Sequence, residues 1–119
     1  MTQWETGSTL MPRARKSGDA VIVSVQGEID LHNSPELRTQ LLGLLAQHNP
    51  GKLVINLSQV PYMDSSAVAV LIESLQKMRK TGGRVFLTDL QPRVRGLLEI
   101  ARLETIFGLV NDEQEALAK

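Results

Sequence analysis

No cysteine occurs in this 119-residue chain. Disulfide frameworks, thiol nucleophiles and thiolate metal sites are therefore excluded, an absence compatible with the cytosol. Aromatic residues make up only 3% of the sequence, so any core must be built from Leu, Val, Ile and Ala. An excess of one charge is also missing. Thirteen Lys and Arg face thirteen Asp and Glu, for a formal net charge of zero. A dedicated nucleic-acid binder ordinarily carries a basic excess on one face. No apolar run approaches the roughly 18 residues of a membrane span, and Met1 to Gly7 lacks the charged-then-apolar layout of a secretory signal. The length suits one domain with its own core. A soluble, cytoplasmic, single-domain protein is expected, with no direct contact to nucleic acid or membrane.

What is present is strong punctuation. Residues 1–17 are polar and mixed, with a basic cluster at Arg13, Arg15 and Lys16, and read as a solvated lead-in or an edge strand. Ala20 to Val25 is rich in Val and Ile and reads as a strand. Gly27-Glu28-Ile29-Asp30 closes or extends it. Asn33-Ser34-Pro35-Glu36 opens a helix, with Asn33 or Ser34 as cap and Pro35 in the first turn. Leu37, Leu41, Leu44 and Leu45 form its apolar face, and His48-Asn49-Pro50-Gly51 ends it. Leu53 to Leu57 predicts a buried strand.

From Ser65 to Lys80 the apolar residues Val68, Leu71, Ile72, Leu75 and Met78 fall at helical spacing, and Gly82-Gly83 follows. Val85 to Thr88 reads as a strand. Pro92 opens a helix with Val94, Leu97, Leu98 and Ala101 on one face. Ile106 to Val110 forms a last strand, and Asp112 to Lys119 a polar helix. Strands alternating with helices imply parallel pairing, hence an α/β layered domain.

Pro61-Tyr62-Met63-Asp64-Ser65-Ser66-Ala67-Val68 is the stretch that points to function. It carries the chain from a strand into a helix, placing a carboxylate and two hydroxyls where free backbone N–H groups and the helix dipole favour an anion. Two readings stand on the residues alone. Asp64 is a capping residue and the serines merely occupy the first turn, or a phosphate on Ser65 makes the turn a switch. Ala67 to Val70 are small or apolar, so an added charge at Ser65 must stay on the outer rim.

Catalysis finds little support. The G-x-S-x-G elbow is absent, since Met63 and Ala67 flank the serines. His32 and His48 are the only histidines. His48 lies in a helix-ending turn, where solvent exposure is expected, and His32 in a loop that can approach Ser65. Glu28, Asp30 and His32 offer too few ligands at too loose a spacing for a metal loop. Gly82-Gly83 precedes a strand with no G-K-[ST] after it, so it is no phosphate loop. Arg93, Arg95 and Arg102 read as a solvated helix face. No catalytic residue, metal or cofactor is assigned.

Gly27-Glu28-Ile29-Asp30, Leu53-Val54-Ile55-Asn56-Leu57, and above all Tyr62-Met63-Asp64-Ser65-Ser66 resemble the STAS-domain family, and within it the anti-sigma-factor antagonists. Gly82-Gly83 and Leu103-Glu104-Thr105-Ile106-Phe107 fall in matching order. The resemblance covers about residues 18 to 118, with residues 1–17 as lead-in or edge strand and 18–119 as the STAS-like domain. It implies a mixed, mostly parallel sheet of four to five strands covered by helices, one early strand being antiparallel.

The resemblance also implies partner switching. A serine-kinase anti-sigma factor phosphorylates the first serine of the turn, here Ser65, with Ser66 as second choice. The unphosphorylated form binds that kinase and frees a sigma factor or other client, and a PP2C-type phosphatase resets the cycle. Asp30, Asp64 and Ser66, with Thr88, Asp89 and Leu90 in a loop beside them, carry over as partner contacts. Ala67 departs from the glycine common after the serines. An alanine suits a helix, so the turn survives while partner fit differs. A monomer is the simplest expectation. The alternative is a non-phosphorylated STAS subunit that serves as a scaffold for a membrane transporter or signalling complex.

Overall fold

The computed structural model describes residues 2–119. Six strands, β1 (Thr2–Glu5), β2 (Arg13–Ser17), β3 (Ala20–Gln26), β4 (Lys52–Gln59), β5 (Arg84–Thr88) and β6 (Gly108–Val110), lie side by side in chain order. The first two pairings are antiparallel and the other three parallel. Between the parallel strands run α1 (Ser34–His48), α2 (Ser65–Lys80) and α3 (Pro92–Ile100), while α4 (Glu113–Ala118) follows β6.

Strand alternation divides the sheet into two faces. Val21, Val23, Leu53, Ile55, Val85 and Leu87 point into the main core with Leu37, Leu41, Leu71, Leu75, Val94 and Leu98 of α1, α2 and α3. Ile22, Val54, Phe86 and Val110 point the other way, against Ala116 and Leu117 of α4. Each fully buried Leu, Ile or Val contributes about 2 kcal/mol, so a largely aliphatic core suffices, with Phe107 and Phe86 as its buried aromatic members.

The mixed, helix-covered sheet agrees with expectation, and its strand count is higher than the four to five expected. The N-terminal segment adds a hairpin. Gly18 at φ +59° makes its tight turn into β3, and Ala14 supplies the one inward, buried side chain of β2. Arg13, Arg15 and Lys16 thus belong to a strand paired on both sides, and β1 holds the edge. Arg15 bonds Glu113 of α4, fixing part of the basic cluster on the α4 side.

Helix boundaries follow the capping chemistry. Asn33 precedes α1, with Pro35 in its first turn, and Asn49 ends it in the left-handed region at φ 43°. The Asn33 side chain does not cap the helix; it accepts from the Asp30 N–H at 2.8 Å and donates to the Glu28 carbonyl at 2.9 Å. β6 is shorter than the sequence pattern suggested, because Leu103–Thr105 forms a 3-10 turn ahead of it, and α4 is shorter because Asp112 and Lys119 serve as its caps. Ala101, assigned to the apolar face of α3, is exposed, since that helix has already ended.

Candidate functional site

The loop from β4 to α2 is held from both ends by burial and from the side by backbone pairing. Val60 and Met63 are buried, and Met63 forms an isolated parallel bridge with Ile29. The Ile29 N–H donates to the Tyr62 carbonyl and the Asp64 N–H donates to the Ile29 carbonyl, both at 3.1 Å. Asp30 and Asp64, the residues that follow, are thereby held in neighbouring loops.

Asp64 caps α2. Its Oδ1 accepts from the Ser66 N–H at 2.9 Å, the Ala67 N–H at 3.3 Å and the Ser66 hydroxyl at 2.5 Å. The Ser66 hydroxyl is the main influence holding the Asp64 carboxyl below the ordinary aspartate range. Backbone N–H groups of Ala67, Ser66 and Leu31 add to it, and desolvation opposes it. Ser65 differs from Ser66 in both respects that matter for modification. It is exposed, and its hydroxyl makes no hydrogen bond among the described residues, whereas Ser66 is half-buried and engaged. Ala67, Val68 and Val70 are buried as their apolar character requires, while Ala69 faces out.

Asp30 anchors the neighbouring loop. Its Oδ1 accepts from the His32 N–H at 2.9 Å, and its carbonyl accepts from the Ser34 N–H at 2.8 Å. This braces the loop between β3 and α1. Thr88, Asp89 and Leu90 close β5 on the other side of β4. Thr88 is buried and donates from Oγ1 to the Asp89 carboxylate at 2.6 Å, and Asp89 takes a left-handed backbone at φ 56°. Their link to the β4 end runs through Gln91, whose Nε2 donates to the Ser58 carbonyl at 2.7 Å. Asp30, Asp64, Ser65 and Ser66 are brought together by the Ile29–Met63 bridge; Thr88, Asp89 and Leu90 lie across β4, linked by strand pairing and by Gln91.

Neither histidine bonds Ser65. The exposed His32 ring stands 3.7 Å from Asp30. His48, expected in solvent, is half-buried and stacks on Trp4 with ring centroids 4.8 Å apart, because the N-terminal hairpin lies against the end of α1. Among the described residues no three His, Cys, Asp or Glu side chains converge as metal ligands would, Glu28, Asp30 and His32 included. No helix there is long and apolar enough to cross a membrane.

Two features escaped the sequence pattern. Leu31, next to Asp30, is 72% exposed. Arg93, read as a solvated helix residue, lays its guanidinium over the Tyr62 ring at 4.6 Å. No local signal separated the exposed Leu31 from the buried Ile29 two residues before it. The second joins residues far apart in the chain and left no local trace.

A mixed, mostly parallel α/β sheet with a capped Asp-Ser-Ser turn at its strand ends defines a class, and comparison with known sequences gives that class its name. The chain belongs to the STAS domain family, whose model matches residues 11–116. It is 32% identical over 95 residues to the anti-sigma-B factor antagonist of Bacillus subtilis, covering 80% of this chain and 85% of the relative. The anti-sigma F factor antagonist of Paenibacillus polymyxa is 28% identical over 99 residues, covering 83% and 85%. Among solved structures, an anti-sigma factor antagonist from Mycobacterium paratuberculosis superposes with a TM-score of 0.80 at 28% identity, covering 88% of each chain. These names favour the antagonist reading over the transporter scaffold.

Proposed function

We propose that this chain is an anti-sigma-factor antagonist that docks a serine-kinase anti-sigma factor and is released when Ser65 is phosphorylated. The observation that carries the choice of residue is the division of labour in the turn. Ser66 spends its hydroxyl on Asp64, and Ser65 presents a free, exposed hydroxyl beside it. The kinase transfers the terminal phosphoryl of ATP to Ser65 Oγ; the O–P bond to ADP breaks and the serine proton leaves to a base on the kinase. The product adds nearly two negative charges to a surface that already holds Asp30 and Asp64. The N-terminus of α2 attracts the phosphate while Asp64 repels it, each effect being about 1 kcal/mol or less at an exposed position. The domain stays folded, and the change falls on docking.

Asp30, Asp64 and Ser66, with Thr88, Asp89 and Leu90 on the adjacent strand end, form the contact surface in this reading. A PP2C-type phosphatase hydrolyses the phosphoserine and restores the binding form. The chain works as a cytoplasmic monomer and as a binding module rather than an enzyme. The test is an incubation with ATP and each purified serine-kinase anti-sigma factor of the source organism, read by intact mass and by titration calorimetry. One phosphate on wild type, none on Ser65→Ala, and loss of binding by Ser65→Asp are expected. A phosphate retained by Ser65→Ala, or unchanged affinity of Ser65→Asp, overturns the assignment.

A further inference from the structure

Near the switch stand an exposed leucine and an arginine stacked on an aromatic ring, and the sheet order puts them on opposite sides of it. β4 lies between β3 and β5, so the loop carrying Ser65 is flanked by the loop after β3, which bears Leu31, and by the start of α3, which bears Arg93. The geometry points to Leu31 and the Tyr62–Arg93 pair as the contacts that decide which partner docks over Ser65. An apolar pocket on the partner receives Leu31, and a partner carboxylate receives Arg93. This rests on the reading that the Ser65 surface docks an anti-sigma factor, and it names the chemistry that factor must present.

Leu31 is not exposed for want of a defined backbone. The N–H of His32 is tied to Asp30, that of Asp30 to Asn33, and the Asn33 amide to the Glu28 carbonyl. The loop therefore holds Leu31 outward at 72% exposure, whereas every other leucine is buried or half-buried. A leucine on a backbone already fixed spares an interface the cost of ordering the loop.

Arg93 shows the same preparation in polar form. It lies in the first turn of α3, where a cation meets the unfavourable end of the helix dipole and where no acidic residue offsets it. Arg15 and Arg38 pair with Glu113 and Glu73, but Arg93 forms no salt bridge among the described residues. Its contact is the Tyr62 ring, and Tyr62 is anchored through its carbonyl to Ile29. Stacking on an aromatic face orders the guanidinium while leaving its N–H groups for a bidentate carboxylate. Arginine and tyrosine are also the residue types that most often dominate binding at interfaces.

The test uses the purified serine-kinase anti-sigma factors of the source organism as probes, titrated calorimetrically against the full chain. Leu31→Ser and Arg93→Glu are each expected to weaken the kinase that binds wild type by about tenfold or more. Arg93→Lys retains part of the affinity, Tyr62→Leu loses affinity and Tyr62→Phe keeps it. Arg79→Glu, at the exposed far end of α2, is the neutral control. Any variant that melts well below wild type is replaced by Leu31→Ala or Arg93→Gln, which must still bind more weakly than that control. Wild-type affinity in the Leu31 and Arg93 variants, with binding lost in Ser65→Asp, overturns this inference and leaves the switch standing. The reverse pattern leaves the docking surface and removes the switch. Kinase binding unchanged while Leu31→Ser abolishes self-association overturns it in favour of a second copy of this chain. If none of the kinases binds wild type, both proposals fall.

Discussion

The Ser66 hydroxyl donates to the Asp64 carboxylate across 2.5 Å, and the serine between them in sequence is left free. One side chain thus serves the helix cap while its neighbour serves the surface. The pairing also fixes the charge of Asp64, since a carboxylate receiving one hydroxyl and several amide hydrogens resists protonation.

A pH dependence follows for Asp64. Its carboxyl is held low in the folded chain, so folding favours the ionised form. That stabilisation is complete above the unfolded-state pKa of about 4 and is lost as pH falls through the lower folded value. Glu73, held low chiefly by its hydrogen bond from Arg38, adds a loss of the same sign. Asp64→Asn is expected to unfold at lower urea than wild type near neutral pH, with the gap closing as pH falls from the ordinary aspartate value of about 4 through the lower folded one. Urea melts of both proteins across that range check it, and a gap independent of pH rejects it.

At Ser65, replacement by Ala or Asp is expected to change folding stability by about 0.5 kcal/mol or less, as for an exposed side chain without partners. Ser66→Ala removes the hydroxyl donor from Asp64 and should lower the melting midpoint more than Ser65→Ala does. Thermal melts of the three variants decide the order.

Gly108 is required by contact rather than by backbone conformation. A β-carbon there would stand 2.3 Å from Cδ1 of Phe86, a ring buried under α4 and flanked by Lys52 and Arg84. Gly108→Ala should cost about 1–3 kcal/mol through overpacking. Phe86→Leu in the same chain should relieve part of the clash, so chemical denaturation of the double variant is expected to show non-additivity.

His48→Ala tests the contact between the N-terminal hairpin and α1. Loss of the stacked ring should cost about 1 kcal/mol and shift the emission of Trp4, the single tryptophan, to longer wavelength. Unchanged emission would mean that the stack does not bury the indole in solution.

Much of this was legible in the sequence where local chemistry decides. The α2 boundaries coincide with the predicted ones because Asp64 caps at one end and Gly82-Gly83 breaks at the other. Leu37, Leu41, Leu44 and Leu45 are all buried, as their spacing requires. The hairpin was harder to see. Arg13 and Arg15 give β2 a charged outer face, and the exposed Lys16 follows Ala14 on the inner one, which only Ala14 betrays. At the site, Asp64, Ser65 and Ser66 could be read because a strand-to-helix turn is a local event. The Ile29–Met63 bridge and the Tyr62–Arg93 stack depend on strand order, and the bland appearance of each residue concealed them.

The two backbone hydrogen bonds between Ile29 and the Tyr62–Asp64 loop have a further consequence. Loops joined in this way shift together or not at all, so a phosphate on Ser65 would arrive on a stiff platform. Information would then pass as voltage rather than as motion. A partner would sense the altered field at the tempo of the chemical step, with no conformational delay. Amide protons of Ile29 and Asp64 would exchange slowly with solvent in either chemical state.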